Sequence, residues 1–145
     1  MEQELHIAIA GIKELAFEID ETIEIPSIEK IGINFEQSMN PILEESKLEL
    51  LLTFRFYSLG EENNDFLKIK TSNIFMVQEL KSFVTETKDT YNFPDLLLIT
   101  ILGLSISHTR ALLAKCTQGT KFDGFFIPIV NPTELAKQLF GINSK

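Results

Sequence analysis

The chain has 145 residues, of which 44% are hydrophobic and 23% are charged, a composition typical of one globular domain with a single core. Its formal net charge of -8 would repel nucleic-acid phosphates, so nucleic acid is excluded as an expected partner. The single cysteine cannot form an internal disulfide, and the first residues are acidic where a signal peptide would be basic. We therefore expect one cytoplasmic domain that spans residues 1–145.

Four consecutive segments carry the alternating hydrophobic pattern of β-strands. The first is too long to stay straight in a small domain, so a bulge is expected near Gly11. In the fourth, the alternation slips near Ser72 and Asn73, which predicts a second bulge. The segments are residues 5–19, 30–37, 47–57 and 66–78. Because helices follow these strands, we predict an α+β fold with a four-stranded antiparallel sheet connected as a meander.

A nearly uncharged stretch after the strands predicts a long helix. Phe93, Pro94 and Asp95 form a start signal, and Gly119 is the expected C-cap. The charge-free part, residues 96–109, is shorter than the roughly 20 residues of a membrane span, so no membrane insertion is expected. A helix without a polar stripe must be covered on all sides, which predicts a homo-oligomer. The residues predicted at this subunit interface are Leu97, Ile101, Leu104 and Ile106.

The C-terminal part is predicted to contain an apolar extended segment and a short helix. Residues 121–130, here called the strap, are held extended by Pro128. Asn131 is the predicted N-cap of the short helix, and Gly141 is predicted to end it. Arg110 follows an apolar helix face and needs a carboxylate or carbonyl partner if it is buried, so a structural role is favoured over a ligand role.

No motif typical of an enzyme is found in the sequence. His108 lies near Ser105, Ser107 and Cys116, but one helix cannot build a nucleophile, a base and an oxyanion hole from its own neighbours. The two histidines and one cysteine lack the spacing of metal ligands. We therefore expect no enzymatic activity, no cofactor and no metal, and we assign the serines to hydrogen bonds with helix carbonyls.

The order of these elements and four short motifs resemble the SecB family of bacterial protein-export chaperones. Of the family's helix pattern, Phe-Pro-Tyr-Ala-Arg, residues 106–113 of this chain keep only the arginine, Arg110. The motifs are IKELAFEI (residues 12–19), SLGEENNDFLKIKTSNIFMV (58–77), ISHTRALL (106–113) and CTQGTKFDGFFIPIVNPTEL (116–135). The resemblance implies a SecB-like fold of sheet, long helix, extended strap and short C-terminal helix. It also implies assembly as a homo-dimer or homo-tetramer.

The resemblance also implies a function, an ATP-independent chaperone that binds unfolded polypeptides and delivers them for protein export. The family's groove lies between sheet, strap and second helix. The matching positions are Phe75, Val77, Phe125, Phe126, Ile127, Leu135 and Leu139. Docking on the translocase ATPase uses acidic positions that match Glu14 and Glu18. It also uses a hydrophobic-then-acidic pair at the positions of Leu67 and Ile69, so the second acidic residue is missing here. Two alternatives are a dedicated chaperone of an antitoxin in a toxin–antitoxin pair, and an interaction or scaffold module without holdase activity.

Overall fold

The structure, a computed structural model, describes residues 6–83, 93–125, 127–128 and 131–140. In this part of the chain, four antiparallel strands precede a long helix and a short one, which confirms the predicted α+β class. The strands are β1 (Ile7–Ile19), β2 (Ile31–Ile42), β3 (Lys47–Ser58) and β4 (Asp65–Val77), and the helices are α1 (Asp95–Thr117) and α2 (Pro132–Phe140). Short 3-10 helices occupy Ile28–Lys30, Leu43–Glu45 and Leu80–Phe83.

The order of the strands across the sheet is β1-β4-β3-β2, so the predicted meander is correct only for β2, β3 and β4. β1 pairs with β4, and residues 20–30, here called the crossover, connect β1 to the opposite edge of the sheet. Lys121, just after α1, donates to the carbonyls of Glu21, at 3.0 Å, and Ile23. The meander was wrong for β1 because an alternating pattern identifies the buried face of a strand but not its neighbour.

β3 is the strand whose alternation most clearly defines the inner face of the sheet. Its buried hydrophobic side chains are Leu48, Leu50, Leu52, Phe54 and Phe56, all at even-numbered positions. The register places Ile33 of β2 opposite Phe56 and Phe35 opposite Phe54, so the predicted inward residues of β2 lie on this same face. The two helices and the strap cover it, while the other face of the sheet carries charged side chains such as Arg55 and Lys68.

The register of β1 shifts twice along its pairing with β4. One shift lies between Ile9 and Gly11, where the bulge was predicted, and the second lies between Glu14 and Ala16, where none was predicted. Each shift inserts one unpaired residue and exchanges the faces of the residues that follow. The regular alternation expected over residues 5–19 is therefore broken into three short runs.

The predicted bulge at Ser72 and Asn73 is wrong, because β4 pairs continuously with both neighbours through these residues. The hydrophobic pattern slips there because two polar side chains, Thr71 and Asn73, point inward and are fully buried. The Thr71 hydroxyl shares a hydrogen bond of 2.7 Å with the hydroxyl of Thr109 on α1. Buried polar groups are stable when hydrogen-bonded, so no backbone irregularity is required.

A band of polar side chains divides the core into two apolar clusters. We call this band the polar seam, and its members are Thr71, Asn73, Ser105, His108 and Thr109. On one side, the larger cluster packs β2, β3 and the N-terminal part of β4 against α1 from Leu102 onward, the strap and α2. On the other side, the smaller cluster packs the C-terminal end of β4 against the N-terminal half of α1.

Helix α1 begins at Asp95, as predicted, and ends at Thr117, so its C-cap is Gln118 and not the predicted Gly119, which follows in the left-handed conformation (φ 78°). By length and composition alone, α1 could also cross a membrane. Its sheet-facing side is buried in the domain and includes the polar residues Ser105 and Thr109, an arrangement typical of a core helix. The solvent side carries exposed leucines, Leu96 at 61% and Leu104 at 36%.

Candidate functional site

An open apolar groove lies at the edge of the sheet formed by β2. Its volume is about 390 Å³, and its walls come from the crossover, from β2 and β3, and from the strap. The lining residues are Ile25, Pro26, Ile28, Ile31, Ile33, Phe56, Gly124, Phe125 and Pro128. The lining contains no charged side chain, so the groove offers apolar contact and no group for acid–base chemistry.

The strap wall of the groove is anchored by aromatic packing. Phe125 contacts the rings of Phe56, Phe66 and Phe122 edge-on, with centroid distances of 5.5 to 5.7 Å. Phe66 and Phe122 stack on each other at 5.7 Å. Edge-on and stacked aromatic pairs each stabilise by roughly 0.5–1.5 kcal/mol beyond their burial, so this cluster fixes the start of the strap on the sheet.

Arg110 anchors the next part of the strap. Its Nε donates to the carbonyl of Ile127 at 3.0 Å, and its Nη2 donates to the carbonyl of Pro128 at 2.9 Å. The guanidinium thus has carbonyl partners rather than a ligand, in line with the structural role assigned from the sequence. At the start of α2, the Asn131 side chain accepts hydrogen bonds from the amides of Thr133 (2.9 Å) and Glu134 (3.3 Å), as an N-cap does.

The crossover wall of the groove was not predicted from the sequence. Ile28 is 85% exposed and Ile25 is 36% exposed, although both are large aliphatic side chains. The available signal was the spacing of isoleucines and Pro26 within an otherwise acidic connection between two strands. An aliphatic residue that the fold leaves in water is a more specific indication of a binding surface than one that the core buries.

The structure separates the seven residues that were predicted to line a groove. Phe75 and Val77 are fully buried in the smaller cluster beneath α1, so their prediction as groove residues is wrong. Ile127 is also buried, and Leu135 and Leu139 of α2 pack on the larger cluster without lining the groove. Phe125 is the predicted residue that does line it, and Phe126 lies outside the described residues. The groove therefore lies between crossover, sheet edge and strap, not beside α2.

The three residues predicted for partner docking do not share one surface. Leu67 is 1% exposed and belongs to the larger cluster, so it is not available to a partner. Glu14 lies opposite Thr71 on the inner face and accepts a hydrogen bond from the Cys116 thiol at 2.7 Å. Glu18 lies opposite Lys68 on the outer face, with their charged groups 3.8 Å apart. The unpredicted register shift after Glu14 places the two glutamates on opposite faces, which corrects the expected docking surface.

Three of the four predicted interface residues are covered by the chain itself. Leu97 and Ile101 are fully buried in the smaller cluster, and Ile106 is buried in the larger one. The prediction that they contact a second subunit is therefore wrong, because one sheet with its polar seam covers more of the helix than expected. Leu104 faces solvent, so its assignment to an interface stays a prediction.

The nucleophilic side chains near His108 do not form a catalytic arrangement. His108 Nδ1 lies 3.0 Å from Asn73 Oδ1, the His108 ring stacks on Phe75, and burial lowers the pKa of the imidazole. Ser105 does not form the predicted bond to a helix carbonyl, because its buried hydroxyl has no hydrogen-bond partner among the described residues. Burial, together with the hydrogen bond to Glu14, raises the pKa of Cys116 to about 11, which disfavours the reactive thiolate.

Within the described ranges, no group of three or more histidine, cysteine, aspartate or glutamate side chains is placed to hold a metal ion. A second cavity, of about 490 Å³, is polar and lies around the turn between β3 and β4. Its charged residues are largely paired, with Arg55 Nη1 3.4 Å from Asp65 Oδ2 and Lys68 beside Glu18. The apolar groove is therefore the site with the clearer chemical character.

Comparisons with known proteins give a structural likeness but no sequence match. No protein-family model matches the chain, and no curated protein matches it in sequence. Among solved structures, the chain is similar to a SecB-like chaperone of Mycobacterium tuberculosis in complex with a ChAD peptide from the HigA1 antitoxin. The identity is 12%, the TM-score is 0.49, and the alignment covers 86% of this chain and 90% of the other.

Proposed function

We propose that the protein is an ATP-independent chaperone that binds unfolded or partly folded polypeptides in the apolar groove. The observation that carries the proposal is the pair of exposed isoleucines, Ile25 and Ile28, facing an aromatic wall across an open cleft. Large aliphatic side chains kept in water stabilise the folded domain little, whereas a bound chain can bury them.

The chemistry of the groove favours apolar segments of many sequences over one defined ligand. Without charged lining groups, binding rests on burial of apolar area, at about 25 cal/mol per Å², and carries little dependence on sequence. Such binding produces a negative change in heat capacity. The net charge of -8 adds a longer-range attraction for basic clients, and this contribution weakens with salt.

The identity of the client belongs to the same proposal. Unfolded export precursors and an antitoxin are the two client classes that the SecB-like motifs imply, and the groove can accommodate an extended segment of either. The free thiol of Cys116 supports a cytoplasmic location. We propose further that the exposed side of α1, with Leu96 and Leu104, is covered by a second copy of the chain.

Light scattering of a reduced, unfolded client tests the proposal. We expect the protein to suppress aggregation of the client at a stoichiometric ratio, equally well with and without ATP. The same assay with an antitoxin as client distinguishes a general chaperone from a dedicated one, because only the latter prefers the antitoxin strongly. A protein that leaves every client to aggregate would instead be an interaction or scaffold module.

A further inference from the structure

We propose that a polypeptide bound in the groove adds to the sheet as a fifth strand along the outer edge of β2. Its side chains alternate, with apolar residues in the groove and basic or polar residues on the opposite face. The inference rests on the proposed function, because it specifies how the client is held at the same groove.

The two edges of the sheet differ in their capacity to pair. In the described part of the chain, β1 and β2 are the edge strands, and no strand pairs with the outer side of β2. The two register shifts of β1 break its backbone into short runs, which is a common protection of an exposed edge. β2 pairs with β3 without a shift from Ile31 to Ile42, so its outer edge is regular.

The register identifies which backbone groups of β2 point outward. The carbonyl of Lys30 accepts a hydrogen bond from the amide of Leu59 at 2.9 Å, directly before the pair of Ile31 and Ser58. In an antiparallel ladder, hydrogen-bonded and non-hydrogen-bonded pairs alternate, so the even-numbered residues of β2 bond to β3. The odd-numbered residues therefore direct their amides and carbonyls away from the sheet. Pro41 is odd-numbered, and a proline inside a strand is tolerated where its missing N–H faces outward.

The same odd-numbered residues direct their side chains toward the groove. Ile31 and Ile33 line it, and Phe35 packs on the larger cluster beside them. A strand that pairs with these residues places every second side chain on the same face of the sheet, because directly opposed residues share a face. The outer edge of β2 from Ile31 to Met39, which is available for pairing, is about 30 Å long at roughly 3.3 Å per residue.

The charges around the edge of β2 predict which residues alternate with the apolar ones in the bound polypeptide. On the outer face, the charged neighbour of an added strand is Glu36, whose side chain is 63% exposed although one carboxylate oxygen lies 3.4 Å from Arg55 Nε of β3. The crossover contains Asp20, Glu21, Glu24 and Glu29 but only one lysine, Lys30. In the bound polypeptide, lysine or arginine between the apolar residues complements the negative charge of Glu36 and of the crossover. Aspartate or glutamate at the same positions is repelled by this charge.

Amide hydrogen exchange measured by NMR tests strand addition on the wild-type protein. The probe is a capped nine-residue peptide with isoleucine at every odd position and lysine or threonine between. We expect the amides of Ile33, Phe35 and Gln37 to exchange fast in the free protein and at least tenfold more slowly with saturating peptide. The amides of Asn34 and Glu36 bond to β3 and serve as internal controls that are slow in both states.

N-methylation of the peptide gives the complementary measurement. We expect methylation of alternate amides to weaken binding at least tenfold in one set of positions and little in the other, because only one set bonds to β2. Peptide binding that protects no outward amide and shows no period of two overturns strand addition while leaving the proposed function intact. Outward amides already protected in the free protein overturn it as well, since a second copy or another segment of this chain then covers the edge. A wild-type protein that binds neither peptide nor client contradicts both proposals.

Discussion

At the scale of single residues, Ser105 and Thr109 lie one turn apart on α1 and both face the sheet, but their hydroxyl groups differ in hydrogen bonding. Thr109 donates to the carbonyl of Ser105 at 2.8 Å and shares a hydrogen bond with Thr71, whereas the Ser105 hydroxyl is buried without a partner in the described part of the chain. Leaving a buried polar group unpaired costs about 1–3 kcal/mol, so the two positions should respond oppositely to loss of the hydroxyl.

We expect Ser105→Ala to leave the free energy of unfolding unchanged or to raise it by about 1 kcal/mol, because no hydrogen bond is lost. Thr109→Val keeps the shape of the side chain but leaves Thr71 with one partner fewer, and it should lower the free energy of unfolding by about 1–2 kcal/mol. Urea denaturation of both variants measures the difference. A clear destabilisation by Ser105→Ala would show that a bound water or another group satisfies the hydroxyl.

Cys116 provides a test that depends on pH. Burial is the main cause of its raised pKa, about 11 instead of 9.0, and the carboxylate of Glu14 adds to the effect. At pH 8 the protein should contain roughly a hundredfold less thiolate than a free thiol of pKa 9.0, and iodoacetamide should react correspondingly slowly. Glu14→Gln should accelerate the reaction.

The sign of the linked effect on stability follows from the same shift. The folded state binds the thiol proton more tightly than the unfolded state, so this contribution is complete below pH 9 and is lost as the pH rises toward 11. Rapid alkylation at pH 8 that is unaffected by Glu14→Gln would contradict the assigned environment of Cys116.

At the scale of elements, the strap begins with a turn at residues 121–124, where an extended segment was predicted, and side chains hold it in position. We expect Arg110→Met to lower the free energy of unfolding by about 1–2 kcal/mol, because two hydrogen bonds to strap carbonyls are lost. Client affinity should fall as well, since Pro128 forms part of the groove. Arg110→Lys keeps the charge but not the two-point fork, so it should be intermediate in both assays. Equal client affinity in all three proteins would show that the strap position does not matter for binding.

An element could be predicted where its local sequence pattern has only one structural interpretation. The third strand and the start of the C-terminal helix were predicted almost residue by residue, because strict alternation and an Asn-Pro cap each have one structural interpretation. Gly141, predicted to end that helix, lies outside the described residues. The inward polar residues of β4 were mistaken for a bulge, since their partners Thr109 and His108 come from a distant helix. The second register shift of β1, after Glu14, has no signal in the local sequence. Because it was not predicted, Glu14 and Glu18 were expected on the same face of the sheet.

The groove was only partly predictable for the same reason. Phe125 was predicted from its position in the strap, but the crossover wall depends on the order β1-β4-β3-β2, which no local pattern encodes. Without that order, residues 20–30 read as an ordinary connection between adjacent strands.

At the scale of the whole molecule, one side of α1 packs in the core of the domain and the other side is available to a second copy of the chain. Ile101 is fully buried, so Ile101→Ala should cost about 2–5 kcal/mol of stability. Leu104 lies on the solvent side, so Leu104→Ala should change the stability of a single chain by less than about 1 kcal/mol. If a second copy covers this side, Leu104→Glu should shift sedimentation toward a smaller species while Leu104→Ala shifts it less. A wild-type protein that sediments as a monomer at micromolar concentration would contradict the proposed assembly.

The proposed chaperone function is tested most directly by the affinity for an unfolded client of two matched variants, Ile28→Ser and Leu15→Ser. Both side chains are exposed aliphatics, at 85% and 50%, but Ile28 lines the groove and Leu15 lies on the opposite edge of the sheet. Burial of an isoleucine contributes about 1.5–3 kcal/mol, so Ile28→Ser should weaken client binding about tenfold or more, with an unchanged melting temperature. Leu15→Ser should bind the client as the wild type does. Equal affinities for the two variants, or a wild-type protein that binds no unfolded client, would contradict the account.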